Sequence, residues 1–146
     1  HHGNGTQQIF YRRDDVQYVS LHGDPARAYP YITGYADEIG SGRGRGANVN
    51  VPLPLGADDD HYGVALAGAL QAIDAFAPDL LVVSLGVDAF HNDPISDLAV
   101  TADGFEAQGA LVAQLGVPTV VVQEGGYDVA SLGNNVNRWL AGLATL

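Results

Sequence analysis

The chain has 146 residues, with 6 Lys and Arg against 17 Asp and Glu, a formal net charge of −11 and no Cys. This length suits one domain with a buried core, and so negative a charge repels phosphate backbones, which argues against nucleic acid as a partner. Without Cys, neither disulfides nor thiolate metal sites can form, and no apolar run approaches the roughly 18 residues of a membrane span. We therefore expect no membrane segment, and the lack of a signal peptide makes the cytoplasm the default location.

Apolar runs and amphipathic stretches alternate along the chain. They predict strands at 17–21, 48–52, 80–85 and 117–122, and helices over 60–76, 101–115 and from about 129 to 143. The runs LLVVSL and VPTVVV are continuous, which is typical of strands covered on both faces in a parallel sheet. Thr101 is the expected N-cap of the middle helix. The order of strands and helices predicts an α/β fold, a parallel sheet with helices on both faces.

The glycine-rich segment 40–46 (GSGRGRG) has the composition of a phosphate-binding loop but the wrong context. A phosphate loop follows a strand directly and opens a helix, whereas here a strand follows. We therefore expect a flexible loop, and we disfavour a Rossmann-like nucleotide binder because no strand–GxGxxG–helix unit is present.

Polar residues follow the two continuous apolar runs, at the edge where ligands bind in open α/β sheets. Asp88 comes just after 80–85, and Tyr127 comes just after 117–122, preceded by two glycines. Asp88 alone could cap a helix, and Tyr127 alone could be a half-buried aromatic. The glycine pair favours a site, because it lets the backbone adopt unusual dihedral angles and pass close to a ligand.

A carboxylate, an imidazole and a phenol together suit metal-assisted hydrolysis. Asp oxygen and neutral His nitrogen are ligands for zinc, which makes water nucleophilic and polarises a carbonyl. A tyrosine hydroxyl can stabilise the oxyanion that develops. Asp88 and Tyr127 supply two of these groups. His1 could supply the third, although spacing alone leaves open whether His1 and His2 belong to a site or to a tag.

Five motifs, HHGNGTQ, SLHGDP, NVNVPLP, SLGVDAFHNDP and QEGGYD, occur in this order along the chain. In order and spacing they resemble the histone deacetylase superfamily, with the closest likeness to its bacterial acetylpolyamine amidohydrolase branch. The resemblance implies that His1 and Asp88 hold a zinc ion, with Fe²⁺ as the alternative. It also implies that Tyr127 stabilises the transition state.

The resemblance assigns further residues to the substrate and to a second ion. Tyr29 matches the family's tunnel aromatic, and Gly125 and Gly126 belong to the turn that lines the same tunnel. Ser20 and Leu21 match residues that help to hold a structural potassium ion.

Two other polar residues have a structural interpretation. Asp93, followed by Pro94, predicts a turn that fixes the loop after Asp88. For His22 we favour a structural hydrogen-bonding role over contact with substrate.

The resemblance also decides between a tag and a site for His1 and His2, because GNGTQ continues the family motif after them. The family's first Asp ligand and its general-base and general-acid histidines would then precede His1. We therefore expect residues 1–146 to be the C-terminal portion of a single catalytic domain of the arginase/deacetylase type, with its N-terminal half missing. Alone, such a portion is expected to be inactive.

By resemblance, the whole enzyme would be a zinc-dependent hydrolase that removes acetyl groups from acetylated polyamines or similar cationic amines. Its partner would be a small cationic acetylated molecule, and a homo-oligomer stays open. Two alternatives remain: a histone-type deacetylase acting on acetyl-lysine in proteins, and a non-catalytic binding domain that keeps the fold.

Overall fold

The structure, a computed structural model, describes residues 2–145. The chain divides into two compact units, residues 1–55 and 56–146. The first contains α1 (Asn4–Phe10), β1 (Tyr18–Gly23) and β2 (Asn48–Leu53); the second contains α2 (Asp59–Phe76), β3 (Leu81–Leu85), α3 (Ala102–Ala113), β4 (Thr119–Gln123) and α4 (Val129–Leu143). Among residues 2–145, no helix combines the length and apolarity that crossing a membrane requires.

The strands of the first unit are parallel, as the sequence predicts. Tyr18 lies opposite Asn48 at one end of the β1–β2 pair, and Gly23 lies opposite Leu53 at the other. Both strands extend one or two residues past their predicted ends. Helix α1 is not predicted by the sequence, because its seven residues carry no amphipathic repeat and no side-chain cap.

Three amide side chains, those of Gln7, Asn48 and Asn50, are buried in the first unit. Gln7 of α1 is buried, and its side-chain oxygen accepts hydrogen bonds from Asn48 at 3.3 Å and from Asn50 at 2.9 Å. The side-chain nitrogen of Gln7 donates to Glu38 at 2.6 Å. Because buried polar groups need partners, this network fixes α1 against the strands.

The glycine-rich segment is a defined turn rather than the flexible loop expected from its composition. It contains a 3₁₀ turn at Gly42–Gly44, and Arg43 pairs with Asp14 at 2.9 Å. A Cβ on Gly44 would lie 2.6 Å from the backbone nitrogen of Arg13. Glycine is needed here for close backbone approach, not for phosphate binding.

The second unit is also built on a parallel strand pair, with Leu81 opposite Thr119 and Leu85 opposite Gln123. Side chains on one face contribute to a core shared with the helices. The buried members of this core are Leu85, Val87, Phe90, Val100, Phe105, Val112 and Trp139.

The other face of this strand pair is open. Val82, Val120 and Val122 are 58%, 47% and 44% exposed. Within residues 2–145, burial therefore alternates along β3 and β4. The parallel α/β architecture itself is confirmed.

Side-chain caps start two helices of the second unit. Asp58 accepts a hydrogen bond from the His61 amide and caps α2. Thr101 accepts from the Gly104 amide and caps α3, as predicted. Asp59 accepts from both the backbone nitrogen and the hydroxyl of Thr101, at 2.8 and 2.6 Å. These bonds join the start of α2 to the start of α3.

Helices α3 and α4 touch through their backbones. A Cβ on Gly109 would overlap the carbonyl of Trp139, and a Cβ on Gly142 would overlap the carbonyl of Glu106. The contact therefore depends on glycine in both helices.

Candidate functional site

Asp88 lies in the turn that follows β3, on a surface made by two glycines. A Cβ on Gly86 would lie 2.6 Å from its carboxylate oxygen, and a Cβ on Gly125 would lie 2.9 to 3.0 Å from its Cγ and both oxygens. The side chain is partly buried. Burial raises the pKa of Asp88, and the nearby charge of Asp93 raises it further, against a backbone hydrogen bond that lowers it. A cation beside this carboxylate would stabilise its ionised form.

The turn after β4 lies against the turn after β3. The amide of Val87 donates to the carbonyl of Gly125 at 2.9 Å, and the amide of Glu124 donates to the carbonyl of Leu85 at 2.9 Å. The carboxyl ends of the two parallel strands therefore meet, as the sequence predicts, and Asp88 lies next to the glycine turn that carries Tyr127.

Tyr127 presents its side chain to solvent, with 53% of its surface exposed. The preceding Gly126 has a φ of 140°, and a Cβ there would lie 2.7 Å from atoms of Val87 and Leu132. Only glycine fits this position, for conformation and for space. The ring of Tyr127 is accessible to a substrate. The residue before it in the turn, Gly126, can only be glycine.

Asp93 is a buried carboxylate whose long-range contacts the sequence does not indicate. Its Oδ1 accepts from the Ile95 amide at 3.1 Å, which is the local turn that Asp-Pro predicts. Its Oδ2 accepts from the amides of Tyr127 at 2.6 Å and Asp128 at 3.1 Å. These amides lie 34 and 35 residues farther along the chain, so no local pattern could have found them.

In the first unit, Ser20 and Leu21 lie in β1, opposite Asn50 and Val51. The Ser20 hydroxyl donates to the His2 carbonyl at 2.9 Å and lies 2.8 Å from Nδ1 of His22. The assignment of Ser20 and Leu21 to potassium stays a prediction.

The environment of His22 matches a structural role. Its Nε2 lies 2.8 Å from the carbonyl of Gly34, and the side chain is buried. Burial lowers its pKa, because the charged imidazole loses its hydration.

Tyr29 lies in the loop after β1, with 62% of its surface exposed. Its ring meets that of Tyr31 edge to face, with 6.4 Å between centroids. An exposed aromatic pair of this kind can line a substrate path, and the assignment of Tyr29 to a tunnel stays a prediction.

Of the two predicted metal ligands, His1 and Asp88, the structure describes Asp88. His1 lies outside the described residues, so its assignment as a ligand stays a prediction. Within residues 2–145, the structure places no three His, Cys, Asp or Glu side chains together as a metal site. The carboxylate of Asp88, partly buried and held between glycines, fits one ligand of a divalent ion by its chemistry.

Comparisons with known proteins agree with the motifs. The histone deacetylase domain family matches residues 1–143. The acetylpolyamine amidohydrolase of Mycoplana ramosa is 49% identical over 144 residues, covering 99% of this chain and 42% of that protein. Acetylpolyamine amidohydrolase 1 of Pseudomonas aeruginosa is 50% identical over 142 residues, covering 97% of this chain and 41% of that protein.

Solved structures give the same result. The crystal structure of acetylpolyamine aminohydrolase from Burkholderia pseudomallei matches with a TM-score of 0.97 and 49% identity, over 100% of this chain and 43% of that one. An HDAC homologue complexed with SAHA matches with a TM-score of 0.88 and 32% identity, over 97% of this chain and 39% of that one. This chain thus spans about two fifths of the length of these relatives. The chain belongs to the histone deacetylase domain family, whose membership implies a metal ion.

Proposed function

We propose that the whole protein is a zinc-dependent amide hydrolase that removes acetyl groups from acetylated polyamines or similar small cationic amines. The observation that carries the proposal is the joining of two turns by the 2.9 Å hydrogen bond from Val87 to Gly125. It sets the Asp88 carboxylate beside the turn that bears Tyr127. The identity of 49% and 50% to relatives named acetylpolyamine amidohydrolases supports the substrate class.

In this proposal, Asp88 and His1 supply ligands to the ion, with Fe²⁺ as the alternative to zinc. When bound, the ion supplies Lewis acidity, which polarises a carbonyl and makes water nucleophilic near neutral pH. Because Gly86 and Gly125 have no side chains, there is room for the Asp88 carboxylate between them. A side chain at either glycine position would come too close to that carboxylate.

Tyr127 acts on the substrate in this scheme. Its side chain is 53% exposed, and its hydroxyl donates a hydrogen bond to the acetyl oxygen as negative charge develops there, which lowers the barrier to attack. Tyr29, with Gly125 and Gly126, lines the path of the substrate chain. Ser20 and Leu21 are part of the proposal as holders of a potassium ion.

The substrate class rests partly on charge. The net charge of −11 on residues 1–146 attracts a polycation over distances that salt shortens. A cytoplasmic location also belongs to the proposal, and cell fractionation checks it.

The test is acetate release by the whole purified protein. Substrates are a monoacetylated polyamine and an acetyl-lysine peptide, and the variants are Tyr127→Phe and, as a control, Tyr11→Phe, which lies just after α1. We expect higher kcat/KM on the polyamine, a kcat lower by on the order of 10²–10³ in Tyr127→Phe, and no change in the control.

Three outcomes would contradict the proposal. Faster turnover of the peptide would favour a protein deacetylase. A fall in kcat of less than about fivefold in Tyr127→Phe would remove the tyrosine from the chemistry, since a single oxyanion donor is worth far more. Absence of turnover on both substrates would favour a binding domain.

A further inference from the structure

The buried carboxylate of Asp93 has no part in the chemistry described above, yet it contacts the turn that carries Tyr127. Asp93 is 7% exposed and lies between β3 and α3. Its two oxygens accept three backbone amide hydrogens. One belongs to its own loop, at Ile95, and two belong to the turn after β4, at Tyr127 and Asp128.

Tyr127 is 53% exposed, so packing holds its side chain only in part. The backbone on either side is held by other contacts: a Cβ on Gly126 would lie 2.7 Å from atoms of Val87 and Leu132, and the Asp128 carbonyl accepts from the Ser131 and Leu132 amides at 3.1 and 2.9 Å. Before the tyrosine, the carbonyl of Gly125 is held by the Val87 amide at 2.9 Å. At the tyrosine itself, the hydrogen bond to Asp93 is 2.6 Å long.

We propose that Asp93 is a positioning residue for Tyr127: its buried carboxylate fixes the backbone of the tyrosine turn and so aims the hydroxyl at the reacting carbonyl. The inference rests on the proposed function. It assigns Asp93 no contact with substrate or metal. An ionised carboxylate suits this task because it only accepts hydrogen bonds and can serve both loops at once.

Asparagine is the informative replacement. Asn keeps the size of Asp but has a single side-chain oxygen, and its NH₂ group is a donor. In Asp93→Asn, either the Ile95 amide or the Tyr127 and Asp128 amides must face a donor. Because a misplacement of about 1 Å can reduce a rate by about 10²-fold, we expect kcat to fall at least tenfold while KM stays within threefold.

A double-mutant cycle separates positioning from a general loss of structure. In the whole protein, Asp93→Asn is made alone and together with Tyr127→Phe. If Asp93 acts through the tyrosine hydroxyl, the Asn substitution lowers kcat by less than about twofold once that hydroxyl is gone. An equal fold-change in both backgrounds overturns the proposal. So does loss of metal in Asp93→Asn, because Asp93 would then act through the metal site.

The matched control is Asp97→Asn, an exposed carboxylate in the same loop. It removes the same charge from the same loop without touching the tyrosine turn. We expect its kcat to stay within twofold of the parent. A loss equal to that of Asp93→Asn would mean that loop charge, not the contact with the turn, carries the effect.

Amide hydrogen exchange tests the contact without relying on activity. In the unsubstituted protein, the amides of Tyr127 and Asp128 should exchange at least tenfold more slowly than free-peptide rates, and in Asp93→Asn this protection should fall. Free-peptide rates in the unsubstituted protein overturn the proposal, even if the Asn variant fails to fold. If the unsubstituted protein releases no acetate, the proposed function fails, and the exchange result still decides whether Asp93 holds the turn.

Discussion

Replacing Gly125 with alanine tests the fit between the glycine turn and the Asp88 carboxylate. The added methyl carbon would lie 2.9 Å from Cγ and 3.0 Å from both carboxylate oxygens, whereas ordinary contact begins near 3.4 Å. The carboxylate must therefore move by about 0.4 to 0.5 Å, or the turn must move by as much. The φ of Gly125 does not lie in the left-handed region, so alanine adds bulk without backbone strain.

This displacement is large for a metal ligand, whose distance to the ion tolerates about 0.2 Å. We expect Gly125→Ala to weaken metal affinity by about 10–100-fold, the range typical of changes beside a ligand. Competition with a coloured chelator in the whole protein measures the affinity, and circular dichroism checks the fold. The control is Gly133→Ala in α4, where a Cβ meets no atom within 4 Å. A folded Gly125→Ala variant with affinity within twofold of the parent would show that metal binding does not depend on the space at Gly125.

Three further predictions follow from other contacts and charges. Gly109→Ala should lower the free energy of unfolding in urea by at least about 2 kcal/mol, because the added methyl group overlaps the backbone of α4. The control is Gly68→Ala in α2, which has open space around its Cβ and should raise the free energy of unfolding by about 0.5–1 kcal/mol. Raised salt should lower kcat/KM more for an acetylated polyamine than for an acetyl-lysine peptide with one positive charge, and equal, flat responses would contradict steering by charge. Since burial lowers the pKa of His22, the unfolded state binds its proton first, and the free energy of unfolding should fall as pH drops below about 6.5, by up to about 1.4 kcal/mol per pH unit. His22→Gln should show a shallower slope, and an unchanged slope would exclude this histidine as the cause.

Sequence periodicity predicts the regular elements of this chain well because each depends on neighbours in the chain. The Thr101 cap and the parallel strand pairs follow from local patterns, and both are confirmed. Helix α1 cannot be predicted from local patterns, because it is stabilised by side-chain hydrogen bonds between Gln7 and residues far along the chain.

The candidate site also has features that the sequence predicts and features that it does not. The positions of Asp88 and Tyr127 after their strands can be predicted, since strand ends meet at one edge of a parallel sheet. The fit of Gly125 against the carboxylate and the bond from Tyr127 to Asp93 cannot be, because both join residues more than 30 positions apart. The assignment of His1 rests on family resemblance alone.

The glycine contact between α3 and α4 affects the entropy of folding. Ordering a long side chain costs up to about 2 kcal/mol of conformational entropy, but glycine has no side chain to order. Folding instead costs backbone conformational entropy at these positions, since glycine is the most mobile residue in an unfolded chain. Helix α4 begins at Val129, directly after the tyrosine turn. The turn is therefore joined to a helix that meets α3 at two glycine positions, where there is no side chain to change rotamer. We expect side-chain disorder on heating to reach these two positions later than contacts made by long side chains.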